Sequence, residues 1–337
     1  MRIGIFHIVL LLTLGLWSCS TKKIAKEQPE EITAKKTPEQ YLSRELSYVS
    51  KTVQKLESVA FYRSYVFSPR NTVELSKIND SILEVHAISN HVSNQSVSGT
   101  ATVIYFDGSI VGMLTCAHVV DFPDTIVVGY NHGRGPIKAL SVKVRQKNYV
   151  NGLPLGDDVE VIAIDRKLDI AFMKKRLYDA KENIPVLKYP AAKDKDLDWG
   201  MQVYVMGYPL GRLMVTRGIV SKPSGSTGRF LTDALYNRGI SGSPVITVGS
   251  GNPPDVRWLG IASSAAAQKI SYVKPEKNTI EFINTDESYS GELYLDRKKI
   301  INYGVTYNIT SEAVLDFLMK NDDKIRAAGF NPESFFK

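Results

Sequence analysis

The stretch Thr232-Asp233-Ala234-Leu235-Tyr236-Asn237-Arg238-Gly239-Ile240-Ser241-Gly242-Ser243-Pro244 sets a serine between glycines, after a polar turn and before a proline. It reads as a nucleophile loop. Upstream, Leu114-Thr115-Cys116-Ala117-His118-Val119-Val120 places a histidine at the end of an apolar strand, and Leu168-Asp169-Ile170-Ala171-Phe172 places an acid at the entry to another. Histidine, aspartate and serine in that chain order match one of the known arrangements of the Ser-His-Asp triad.

The chemistry demands these residue types. A serine hydroxyl is a weak nucleophile until a neighbouring base takes its proton, and imidazole is the side chain suited to that exchange near neutral pH. An aspartate behind the ring fixes its tautomer and stabilises the imidazolium. Glycine at 239 and 242 permits a tight turn, so the N–H groups of Gly239 and Ser241 are expected to converge on a developing oxyanion.

Residue order excludes the rivals. An α/β-hydrolase needs its histidine after the serine, yet His7, His86, His91, His118 and His132 all precede Ser241. A subtilisin order needs the acid first, and neither Asp80 nor Asp107 has supporting context. Among other acids, Asp165 reads as a turn carboxylate before Arg166-Lys167, as do Asp157 and Asp158. Cys116 has no oxyanion loop of its own and reads as a buried small hydrophobe.

Segment 232–244 resembles the Thr-Asp-Ala-x-x-Asn-x-Gly-Asn-Ser-Gly-Gly-Pro loop of the HtrA/Deg serine proteases, departing at Ile240 and Ser243. Other landmarks fall in that family's order: Gly99-Thr100-Ala101, Val161-Ile162-Ala163-Ile164-Asp165, Met206-Gly207-Tyr208-Pro209-Leu210-Gly211, Gly218-Ile219-Val220-Ser221 and Leu259-Gly260-Ile261. The resemblance covers roughly residues 80 to 320 and implies an all-β fold of two six-stranded Greek-key barrels of chymotrypsin/trypsin type. The first would hold His118 and Asp169, the second Ser241. It further implies a primary pocket floored by Leu235 and walled by Ser263, Ser264 and Ala265, uncharged and suited to small or medium aliphatic residues. Relatives often carry a PDZ module after the catalytic domain; only a short segment follows the last helical pattern, so none is expected.

The β-rich pattern agrees. Apolar, β-branched runs at 82–88, 100–105, 125–128, 140–144, 159–164, 202–206, 218–220 and 244–248 alternate with turn residues. Residues 41–65 carry apolar positions Leu42, Leu46, Val49, Val53, Leu56 and Val59 at mostly helical spacing, which predicts an amphipathic helix in an extension over 41–75, packed on the barrel or used for self-association. The protease domain is expected over 76–325. Val314, Leu315, Leu318 and Met319 mark a closing helix from Ser311, with a tail over 326–337.

At the start, Arg2 precedes an apolar run from Ile3 to Trp17, then Leu16-Trp17-Ser18-Cys19. This predicts a signal peptide over 1–18 ending in a lipobox, with Cys19 acylated and a polar tether over 19–40. Lys22, Lys23 and Lys26 favour an anionic membrane surface. Cys116 is then without a partner cysteine, so no intrachain disulfide is expected. The formal charge of +7 is scattered in short runs such as Lys174-Lys175-Arg176 and Arg297-Lys298-Lys299, read as solvated turns and not as a nucleic-acid stripe.

The expected activity is thus a serine endopeptidase of the cell envelope, lipid-anchored on the extracytoplasmic side of a bacterial membrane. Its expected substrates are unfolded or mislocalised polypeptides, with neither cofactor nor metal. The alternative is a catalytically impaired pseudoprotease that keeps the fold as a polypeptide-binding scaffold.

Overall fold

The computed structural model describes residues 37–70, 79–130, 136–178, 183–225, 227–251, 253–275 and 292–336. The signal segment, Cys19 and all but the end of the tether lie outside them.

Among the described residues the first element is α1 (Pro38–Thr52), which begins earlier than its apolar pattern suggests. Thr37 caps it reciprocally with Gln40, and Pro38 occupies the first turn, where its missing N–H costs nothing. Leu42 and Leu46 pack on the core, Val49 is fully buried, and Tyr189 Oη donates to Glu45 at 2.7 Å. The helix stops at residue 52. Residues expected to prolong it form β1 (Val53–Phe67), a strand inside a sheet. Its buried positions alternate as 56, 58, 60, 62 and 64, but 58 and 64 are serines, so period two is invisible in hydrophobicity.

After β1 the elements are α2 (Asp80–His86), β2 (Ala87–Phe106), β3 (Ile110–Thr115), α3 (Ala117–Val120), β4 (Thr125–Gly129), β5 (Ile137–Asn151), β6 (Glu160–Asp165) and β7 (Ile170–Arg176). The run at 82–88 is therefore mostly helical, not a strand. The strands from β1 to β7 make an antiparallel sheet in the order β4-β5-β1-β2-β3-β7-β6. That is seven strands where six were expected, because β1 comes from the supposed extension.

The second half holds β8 (Gln202–Gly207), β9 (Met214–Lys222), β10 (Arg229–Thr232), β11 (Pro244–Val248), β12 (Val256–Pro275) and β13 (Leu293–Thr310). These close a six-stranded barrel, β10-β13-β12-β11-β8-β9. The fold is all-β in two sheets, as the sequence led one to expect. The basic runs 174–176 and 297–299 lie in β7 and β13, not in turns.

Two helices follow, α4 (Ser311–Lys320) and α5 (Asp322–Ala327), in place of the single closing helix expected from Ser311. Thr310, one residue before the expected start, is the N-cap, its hydroxyl accepting from the Ala313 N–H at 3.2 Å. The inward face carries Val314, Phe317 and Leu318, while Met319 is exposed. The last residues are not a free tail. Phe330 packs edge-on to Phe172 of β7 with ring centroids 4.9 Å apart, and Phe336 stacks on Trp258 of β12 at 4.4 Å. The C-terminal aromatics thus join the two sheets through one core.

Candidate active site

Local structure places each of the three sequence-predicted residues at the junction of the sheets. His118 sits on α3, one turn of helix immediately after β3. Asp169 lies in the tight turn between β6 and β7 with φ +68°, a left-handed backbone that aspartate tolerates better than most side chains. Asp165 builds that turn: its Oδ1 accepts from the Lys167 and Leu168 N–H groups, both at 2.9 Å. Asp165 is therefore a scaffold acid, and Asp158 is spent on Lys147. Arg229 on β10 donates to the Lys167 and Leu168 carbonyls at 2.9 and 2.8 Å, clamping the same turn from the barrel.

The three side chains meet. His118 Nδ1 lies 3.0 and 2.9 Å from Asp169 Oδ1 and Oδ2, and Nε2 lies 3.1 Å from Ser241 Oγ. The His118 backbone N–H also donates to Asp169 Oδ1 at 3.0 Å, which fixes the carboxylate against the base of the helix. With the ring proton on Nδ1, Nε2 is the acceptor facing the serine hydroxyl. The hydroxyl has a second acceptor in the Ser263 carbonyl at 2.9 Å.

Burial by itself pushes the Asp169 carboxyl up. Hydrogen bonds from the His118 ring, the His118 backbone and Ser263 outweigh it, leaving the pKa below the ordinary carboxylate value. Complete burial raises the Cys116 thiol well above its usual value, and its Sγ points to the Ala262 carbonyl at 3.2 Å. Cys116, His118 and Asp169 lie close together. A thiol kept protonated is a poor metal ligand, and the His118 and Asp169 atoms already serve one another.

The loop around Ser241 is held by two threonines, Thr100 and Thr102. Thr100 donates its backbone N–H to the Ser241 carbonyl at 2.8 Å and its hydroxyl to the Gly239 carbonyl at 2.7 Å. Thr102 donates to the Gly242 carbonyl at 2.7 Å. Both are fully buried, so these bonds are shielded from water. Gly239 has φ +102°, and a Cβ there would meet the Tyr208 carbonyl at 2.2 Å; at Gly242, φ +91°, it would meet the Thr100 carbonyl at 2.1 Å. No other residue fits either place. Among the described residues the Gly239 and Ser241 N–H groups have no hydrogen-bond partner, which leaves both donors available for an oxyanion.

Ser243, where relatives carry glycine, is accommodated by a second glycine. It is fully buried, its N–H donates to the Ile240 carbonyl at 3.0 Å, and its carbonyl accepts from Ala262 at 2.8 Å. A Cβ on Gly207 would stand 1.8 Å from Ser243 Oγ, so bare backbone at 207 makes the room. The cost is a buried Oγ with no partner.

Beside the serine lies a cavity of about 520 Å³, whose lining includes His118, Ser241, Tyr236, Ser263, Ser264 and Ala265. Leu235 is not among its walls. That side chain is 58% exposed, and its neighbour Tyr236 lines the cavity, fully enclosed with its hydroxyl on Asn308. Ser263 does more than line the wall: its hydroxyl donates to Asp169 Oδ2 at 2.7 Å. Its place beside Ser264 and Ala265 gave a pocket signal only, and nothing local in the sequence tied it to Asp169.

Among known proteins, the chain is 29% identical over 190 residues to a probable periplasmic serine endoprotease, DegP-like, of Halomonas elongata. The match covers 54% of this chain and 32% of that protein, so the chain spans about a third of the curated relative's length. The crystal structure of Deg5 superposes on 68% of this chain and 87% of its own, with 15% identity and a TM-score of 0.39. Residues 99–252, the segment that holds His118, Asp169 and Ser241, match the family described as the trypsin-like peptidase domain.

Proposed function

We propose that the protein is a serine endopeptidase of the cell envelope that hydrolyses peptide bonds of unfolded or mislocalised polypeptides. The observation that carries the reading is the unbroken relay from Asp169 through His118 to Ser241, with Nε2 and Oγ 3.1 Å apart. His118 takes the Ser241 proton as Oγ attacks the scissile carbonyl. The Gly239 and Ser241 N–H groups bind the oxyanion, and the imidazolium returns its proton to the leaving amine. Water then repeats the sequence on the acyl-enzyme. Tyr236, Ser263, Ser264 and Ala265 give the cavity beside Ser241 a neutral lining next to the nucleophile, with Arg238 and Lys299 as its cationic members, and the neutral part supports small or medium aliphatic residues before the cleaved bond. A difference of one methylene is worth only about 1–3 kcal/mol, so the preference is broad.

The pseudoprotease alternative finds no support in the loop, since Gly207 gives Ser243 its space. The extracytoplasmic location is supported by the sequence and by the name of the periplasmic DegP-like relative, and the lipid on Cys19 by the sequence alone. Among the described residues no helix is long and apolar enough to cross a membrane.

A fluorophosphonate probe tests the reaction. Labelling at Ser241, lost in Ser241→Ala together with hydrolysis of an unfolded protein, is the expected outcome; turnover undiminished in that variant would end the assignment. Metabolic incorporation of a palmitate analogue, lost in Cys19→Ala, tests the anchor.

A further inference from the structure

We propose that the outer part of the β12–β13 hairpin is a substrate-binding arm that selects polypeptides with acidic residues upstream of the cleaved bond. The proposal rests on the peptidase reading and names its substrate class.

The first observation is an open edge. β11 pairs with β12 only as far as Pro244 opposite Ile261, whereas β12 runs on to Pro275 with β13 along its other side. Among the described residues no strand covers the edge from Ser263 outward. That edge begins at the nucleophile, since the Ser263 carbonyl is within 2.9 Å of Ser241 Oγ. Unpaired edges are templates for an added strand. A substrate adding antiparallel from Ser263 carries its upstream residues towards Lys269 and beyond.

The second observation is charge. Lys269 stands directly opposite Lys299, and on the next rung of the same face Ser271 stands opposite Arg297. Like charges paired across strands are destabilising. All three cations are exposed, and none has a carboxylate partner among the described residues, while Lys274 on the opposite face is matched by Asp296. The cationic face continues into the cleft: Lys299 and Ile301 line the cavity beside Ser241, Arg238 lines it too, and no carboxylate does. A lysine on a free edge often serves only to deter aggregation, but that role needs neither a like-charged pair nor continuity with the active-site cavity.

The spacing sets the position. Lys269 lies six residues beyond Ser263, at most about 20 Å at roughly 3.3 Å per residue because β12 shifts register at 262/264 and 265/267. The acidic side chains therefore belong about five to seven residues before the scissile bond.

Four fluorogenic peptides test this, one a bare cleavage core and three carrying the same core behind an acidic, neutral or basic upstream half. The expected kcat/KM order is acidic, neutral, basic, with about tenfold between acidic and neutral from two or three exposed ion pairs. The gap should shrink as salt rises to about 0.5 M. In Lys269→Glu/Arg297→Glu, which takes the face formed with Lys299 and Arg238 from four positive charges to none net, the preference for the acidic peptide should be lost, and because it is a ratio within one enzyme, any loss of folded protein cancels. Equal wild-type rates for the three long peptides overturn the arm. Fluorescence anisotropy with Ser241→Ala separates this from a failure of the peptidase reading. Tighter binding of the acidic peptide sustains the arm even if no peptide is cleaved, and equal binding of all three overturns it.

Discussion

Ser263 Oγ donates to Asp169 Oδ2 at 2.7 Å, so the acid presented by the seven-stranded sheet is held by a hydroxyl of the closed barrel. The two halves of the molecule are thereby tied at the point where the imidazole must be oriented. A hydrogen bond to a charged group contributes about 1.5–3 kcal/mol, so Ser263→Ala should lower kcat roughly tenfold or more with KM little changed. Steady-state kinetics on a peptide substrate check this. A change confined to KM would mean that Ser263 acts only as a pocket wall.

Asp169→Asn leaves the geometry and removes the charge. The wrong imidazole tautomer should then cost kcat a factor of about 10⁴. Stability carries a second signature. The Asp169 pKa is lowered from 3.8, so its contribution is present above that value and is lost as pH falls through the lower folded pKa. Acid unfolding followed by circular dichroism should show the advantage of wild type over Asp169→Asn disappearing below about pH 4.

Cys116 is fully buried with its pKa raised, so the reactive thiolate is suppressed twice over. Iodoacetamide should leave Cys116 unmodified in the folded protein and alkylate it in denaturant, read as a mass shift on its peptide. Rapid modification of the native protein would contradict the burial.

Ser243 carries a buried hydroxyl without a partner. An unmade hydrogen bond of this kind costs about 1–3 kcal/mol, so Ser243→Ala should raise the denaturant midpoint by an amount worth about 1 kcal/mol, with labelling of Ser241 retained. A destabilised variant would show that the hydroxyl has a partner in solution.

Phe330 is almost fully enclosed by Tyr105, Phe172 and Phe335. Phe330→Ala should destabilise the protein by roughly 3–5 kcal/mol, measured by urea unfolding. An effect below about 1 kcal/mol, the level of a surface substitution, would return residues 326–337 to the status of a tail.

Pattern and chemistry determined a good part of this protein. His118, Asp169 and Ser241 were legible because a triad needs those side chains in a recognisable order, and Gly239 and Gly242 because a tight turn tolerates little else. The all-β class was legible from short β-branched runs between turns. What only the tertiary structure decided were relations between distant residues and choices of face. β1 passed for helix because serines occupy two of its inward positions, and burial there is set by the neighbouring strands. Tyr236 and not Leu235 lines the cavity beside Ser241, because which of two neighbouring side chains turns inward is set by the surrounding packing. Ser263 found Asp169, Thr100 found the nucleophile loop, and Phe330 found Phe172 across sequence separations that no local signal spans. Such contacts exist only once two sheets have closed on a shared core.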